Sequence, residues 1–153
     1  MKVKIGDIIE IRTSKGLAYA IYTDRRTMYG ALIRTFDRLY ESRPEVIAEV
    51  LANPVGIVTF FPLQAAVNRR LVEVVGNVPV PDHLKAFPVF RIGGLPDPQT
   101  MKIKSWSLWD GENERHVDRL SPEQRRLPIL GVWNDTILID RIESGWRPEM
   151  DPR

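Results

Sequence analysis

Cysteine is absent from the 153 residues, which excludes a disulfide scaffold, thiol catalysis and cysteine-ligated zinc. Histidine is nearly absent too. His83 and His116 are the only two, they fall in separate polar stretches, and no His-x-x-x-His spacing pairs them as metal ligands. No apolar run approaches the ~20 residues that cross a bilayer as a helix. The opening Met1-Lys2-Val3-Lys4-Ile5-Gly6-Asp7 meets an acid before any signal-like apolar stretch. No serine sits in a Gly-x-Ser-x-Gly elbow, and Gly6, Gly16 and Gly93-Gly94 form no phosphate loop. An excess of one charge is also missing: 22 basic and 20 acidic residues leave +2, with no dense basic stretch to neutralise a phosphate backbone. These absences predict a cytoplasmic, non-membrane protein with no catalytic residue, no cofactor and no metal.

What is present is enough apolar material for a packed core: 43% hydrophobic and 27% charged residues in one chain of ordinary domain size. We expect a single domain over residues 1–153, with 147–153 as a frayed tail. The first strand alternates. Val3, Ile5, Ile9 and Ile11 are apolar at odd positions, and Lys2, Lys4, Glu10 and Arg12 are polar at even ones, predicting one buried face and one wet face. Thr13-Ser14-Lys15-Gly16 is a turn, Leu17–Tyr22 a strand covered on both faces, and Met28–Phe36 a third strand. Val55–Phe61 is a strand stopped by Pro62, Leu63–Asn68 a helical turn, and Leu71–Val80 β-like again.

Helices are announced by their caps. Ser42-Arg43-Pro44-Glu45 has capping-box spacing ahead of the apolar stripe Val46, Ile47, Val50 and Leu51, predicting a helix over 43–53. Ser121-Pro122-Glu123-Gln124 repeats the pattern for a second, short helix. Residues 136–144 suit a helix capped by Asn134 or Asp135 and stopped by Gly145, although Thr-Ile-Leu-Ile also suits a strand. A proline-rich stretch over 79–98 reads as an ordered excursion. Met101–Trp109 reads as a strand bulged near Ser105, Glu112–Asp118 as polar loop, and Pro128–Trp133 as a strand. Strand-like runs joined by short turns, without regular alternating helices, imply an α+β fold. Its centre is a strongly bent, mainly antiparallel sheet, a partly open SH3-like barrel, with two or three short helices.

Candidate binding residues are arginines and aromatics near turns. Sixteen of the 22 cations are arginine, the side chain suited to bidentate contacts. Arg25, Arg26 and Tyr29 lie in the connection after the first hairpin, and Trp109 with Asp110 lies at a later turn. Such side chains dominate binding energy at interfaces, and the same rings would serve equally as packing residues. Arg69-Arg70 with Arg25-Arg26 would suit a nucleic-acid surface. Asp110, Glu112, Glu114 and Asp118 lack the glycine and terminal glutamate of a calcium loop and read as a solvated turn.

Several segments together resemble the immunity protein 26 family of bacterial polymorphic-toxin systems. They begin with Gly6-Asp7-Ile8-Ile9-Glu10-Ile11, Gly16-Leu17-Ala18-Tyr19-Ala20 and the strand around Gly30. Further along come Leu71-Val72-Glu73-Val74-Val75-Gly76, Pro88-Val89-Phe90, Leu127-Pro128 to Trp133, and Asp140-Arg141-Ile142 with Gly145. The resemblance covers most of the chain in short, largely structural pieces. It implies a non-enzymatic protein that binds and neutralises a cognate toxin domain, and it carries no catalytic residues. The near-neutral charge departs from the acidic character usual for immunity proteins against basic nucleases. The Gly-Asp-hydrophobic opening is also similar to SH3-like barrels that bind or cleave RNA, which is the alternative function.

Overall fold

The computed structural model describes all residues from Met1 to Arg153. They form two compact units, one of residues 1–85 with 131–146 and one of residues 86–130 with 147–153. The fold is α+β with antiparallel sheets, as the turn-linked strand pattern implies.

In the first unit β1 (Asp7–Thr13), β2 (Gly16–Arg26), β3 (Gly30–Phe36) and β4 (Val55–Phe61) make an antiparallel meander. β5 (Glu73–Asn77) returns beside β1, giving the order β4-β3-β2-β1-β5. β4 and β5 are its two edges, so the expected barrel stays open there. Register shifts at Ile8/Ile9, Tyr22/Asp24 and Arg34/Phe36 bend the sheet, because a bulge raises local twist.

Both faces of this sheet are covered. Ile9, Ile11, Ala20 and Ile33 pack with Leu63 and Ala66 of α1 (Leu63–Asn68) and with Leu138 of α2 (Asp135–Ser144). Ile8, Tyr19 and Ile21 pack on the other side with Tyr40, Val50 and Leu84. The even face of β1 is therefore not the wet face predicted from alternation, and Glu10 is 3% exposed. Buried parallel-like runs and half-buried ones differ only in what covers them, which the strand's own sequence does not encode.

α2 forms where its caps predict. Asn134 Oδ1 accepts from Ile137 N at 2.8 Å, and Gly145 closes the helix with φ 66°. The predicted helix over 43–53 does not form. One 3-10 segment, Ile47–Ala52, stands there with no side-chain cap, and Val46 is 66% exposed. Arg43 makes a bidentate charged contact with Glu10, through Nε at 2.7 Å and Nη2 at 3.0 Å, while neither Ser42 nor Glu45 caps the segment.

In the second unit β6 (Phe90–Gly93), β7 (Trp106–Trp109) and β8 (Glu114–Val117) form an antiparallel sheet over Trp106, Leu108 and Leu120. β7 is shorter than the predicted strand over 101–109: Met101 has φ 61°, and Ile103 makes only an isolated bridge to Pro96. β8 lies in the stretch read as loop, since its exposed Glu114, Arg115 and His116 hide the strand signal. Residues 128–133 make isolated bridges, Ile129 to Arg91 and Val132 to Phe60, rather than a strand. The second capping box does close: Ser121 Oγ accepts from Gln124 N and Gln124 Oε1 accepts from Ser121 N, ahead of the 3-10 turn Gln124–Arg126. Residues 147–153, expected as a tail, pack into this unit through a 3-10 turn at Pro148–Met150 and a buried Asp151.

Gly6 shows how closely the first sheet is joined. Its φ is 96°, its N–H donates to Tyr22 O, and its carbonyl accepts from Val78 N. A Cβ there would stand 2.3 Å from the Val78 carbonyl. Gly6→Ala is expected to cost at least about 2 kcal/mol, from left-handed strain plus displaced backbone, read as a lower denaturant midpoint at unchanged m-value.

Candidate functional site

The five predicted binding residues divide between the units. In the first, Arg25 and Arg26, expected in a connection, are the last two residues of β2, paired with Ala31 and Gly30, and only Tyr29 lies in the β2–β3 turn, where its N donates to Arg26 O at 3.1 Å. The Tyr29 ring is half-buried on Phe60, with centroids 5.1 Å apart, so its position is fixed from below. Arg25 is exposed, Met28 beside it is 82% exposed, and Arg26 lies 4.0 Å from Asp24. The end of β2 and this turn make a mixed apolar and cationic tip. Arg25 also borders a groove at the start of α1, whereas Arg70 borders a separate cavity at its end.

Trp109 and Asp110 belong to the second unit. Trp109 is half-buried against Phe87 at 5.3 Å and Phe90 at 6.0 Å. Asp110 caps its own turn: Oδ1 accepts from Glu112 N and Asn113 N at 2.9 and 2.7 Å. Those two N–H groups hold its carboxyl below the usual range. The tryptophans left open by sequence resolve as two buried rings, Trp106 and Trp133, and two half-buried ones, Trp109 and Trp146. His83 and His116 are exposed and fall in different units, with His116 Nε2 3.0 Å from Asp118. No three histidine, aspartate or glutamate side chains converge as metal ligands.

Sequence reasoning missed the most strongly organised polar group, which centres on Glu10 of β1. Tyr19 Oη donates to Glu10 Oε2 at 2.7 Å. Arg43 donates through Nε to Oε2 at 2.7 Å and through Nη2 to Oε1 at 3.0 Å, and reaches Glu73 Oε2 at 3.2 Å. The Arg43 bonds, followed by the Tyr19 bond, hold the Glu10 carboxyl below its ordinary value against the opposing effect of burial. Burial and the adjacent carboxylate push the Tyr19 phenol upward, so it stays a donor. Glu10 and Glu73 face each other across the β1–β5 ladder, which sequence separation conceals.

Arg91 was also missed. It is fully buried in the second unit, lies over Trp106 at 4.8 Å, and donates through Nη2 to Pro148 O at 2.6 Å. Its Nε and Nη1 have no hydrogen-bond partner.

The Glu10 group gives a pH prediction with a definite sign. A carboxyl depressed in the folded state stabilises above its unfolded value, near 4.5, and that stability is lost as pH falls through the folded value. Tyr19→Phe removes one donor to a buried charge and is expected to cost roughly 1.5–3 kcal/mol at neutral pH. Glu10→Gln is expected to be destabilised at pH 7 and to lose less further stability on acidification than the parent. Urea titrations at pH 7 and at pH 3 check both; an equal acid loss in Glu10→Gln would exclude Glu10 as a contributor.

Comparison with protein-family models, with curated proteins and with solved structures finds no match for this chain.

Proposed function

We propose that the chain is an immunity-type binding protein that neutralises a cognate bacterial toxin domain by direct contact, acting without turnover of its own. The resemblance to the immunity protein 26 family suggests the role, and the β2–β3 tip is the observation that carries it. Tyr29 is braced on Phe60 while Arg25 and Met28 project beside it. A fixed aromatic beside an arginine and an exposed methionine loses little side-chain entropy on binding and presents both apolar area and directed donors. Trp109 is a second contact in this reading, with Asp110 shaping the turn that carries it. Neutralisation would follow from covering the toxin's active site or substrate channel. The cytoplasm is the compartment in which such a protein would meet its target.

The competing reading is an SH3-like domain that binds or cleaves RNA through Arg25, Arg26, Arg69 and Arg70. The partner to test is the toxin domain encoded by the adjacent reading frame. Calorimetry should give a one-to-one complex, and Arg25→Ala and Met28→Ala should each weaken it about tenfold or more with melting temperature unchanged. Tyr29→Ala and Trp109→Ala should also weaken it. Absence of a complex, or affinity untouched by all four substitutions, refutes the assignment. RNA affinity that falls steeply with added salt, by counterion release, would favour the competing reading.

A further inference from the structure

The β1–β5 ladder ends early. Its pairs run from Asp7 with Asn77 to Glu10 with Glu73, and Ile11–Thr13 have no partner on that side. The chain just before β5 leaves α1 through a tight cap instead of extending the sheet. A cavity of about 590 Å³ occupies this place, within the range of small-molecule sites. Met1, Val67, Leu71, Val72 and Val74 supply its apolar lining, and the exposed Arg12 and Arg70 stand at it as arginine cations. Neither guanidinium closes an ion pair or donates a hydrogen bond within the chain.

Arg70 occupies an unfavourable backbone position. Leu71 N donates to Ala66 O and Arg70 N to Val67 O, the double closure that places its central residue in the left-handed region. Glycine is the usual occupant there, and Arg70 adopts φ 58°. The arginine does not improve the cap, so its side chain is the part left to explain, and that side chain lines the cavity. Glu10 and Glu73 also line it, and both carboxylates are engaged by Arg43. Arg12 still acts on Glu10 through space, but the donors of Arg12 and Arg70 are unbonded and can take one carboxylate, while Glu10 and Glu73 oppose a doubly charged anion.

We propose that this cavity binds a carboxylate carried on a small apolar body, with Arg12 and Arg70 taking the anion and the valine and leucine wall taking the body. The source is either a free small acid or the carboxylate end of a polypeptide. The site is independent of the immunity reading, since none of the five residues assigned to the partner lines it.

The test is calorimetric titration of the full chain at low salt with 4-phenylbutyrate, with the peptide acid N-acetyl-Ala-Val-Leu, with the amides of both, and with inorganic phosphate. At least one acid should bind, and its amide should bind at least tenfold more weakly. Binding of 4-phenylbutyrate alone identifies a small acid as the source, and binding of the peptide acid alone identifies a polypeptide end. Arg12→Gln and Arg70→Gly should each lower affinity tenfold or more, and Arg69→Gln should leave it unchanged. Arg70→Gly relieves the backbone position, so its melting temperature should hold or rise while binding is lost, separating the site from the fold. The proposal fails if neither acid binds, if amides or phosphate bind as well as the acids, or if the arginine variants bind like the parent.

Discussion

A carboxylate buried between two covered faces of a sheet is the constraint on which much of the first unit depends. Glu10 sits on β1, between β2 and β5, where an unpaired charge would cost several kcal/mol. Tyr19 and Arg43 meet that cost together, and each then commits more of the chain. The Tyr19 ring packs edge-on against Tyr40 at 5.5 Å, and Asn53 Nδ2 donates to Tyr40 Oη at 2.8 Å. Tyr40 in turn exchanges backbone bonds with Leu17 at the start of β2. One ionised side chain therefore fixes a strand, an aromatic pair and the connection between β3 and β4.

Local chemistry was legible in the sequence wherever its partner lay a few residues away. Asn134 and Gly145 bound α2, Ser121 and Gln124 close their box, and Pro62 separates β4 from α1. Ser42 and Glu45 carried the same signal and no capped helix follows; Arg43 between them bonds Glu10, thirty-three positions away. Strand periodicity failed in the same manner. Alternation correctly placed Ile9 and Ile11 inward, but it could not reveal that Tyr40, Val50 and Leu84 cover the opposite face. A period of two reports which side chains share a face and is silent on what that face meets.

The candidate residues were less legible, for a related reason. Proximity to a turn made Asp110 a candidate, yet both of its strong bonds are spent within that turn. Arg12 and Arg70 had no local signal as a pair; they are joined only because the β1–β5 ladder stops at Glu10. Nor does the sequence announce a left-handed arginine, since the cap that demands it is set by the turn from α1 into β5.

Arginine content shows how structure changes the meaning of composition. Sixteen arginines in a chain of this size suit a nucleic-acid surface as well as any other role. Once placed, they separate by what consumes their donors and faces. Arg43 and Arg153 are spent on Glu10 and Asp151, and Arg91 is sealed over Trp106. Arg141 lies 4.3 Å from both Trp133 and Trp146, bracing the end of α2 against the strand-face core. These guanidiniums are interior or paired and cannot track a phosphate backbone. Arg12 and Arg70 differ because their donors are unbonded where they line a cavity with Glu10, Glu73 and an apolar wall of valine and leucine. In the two proposals made for this chain recognition falls to arginines outside those pairs, Arg25 in one and Arg12 with Arg70 in the other, and each can be tested alone.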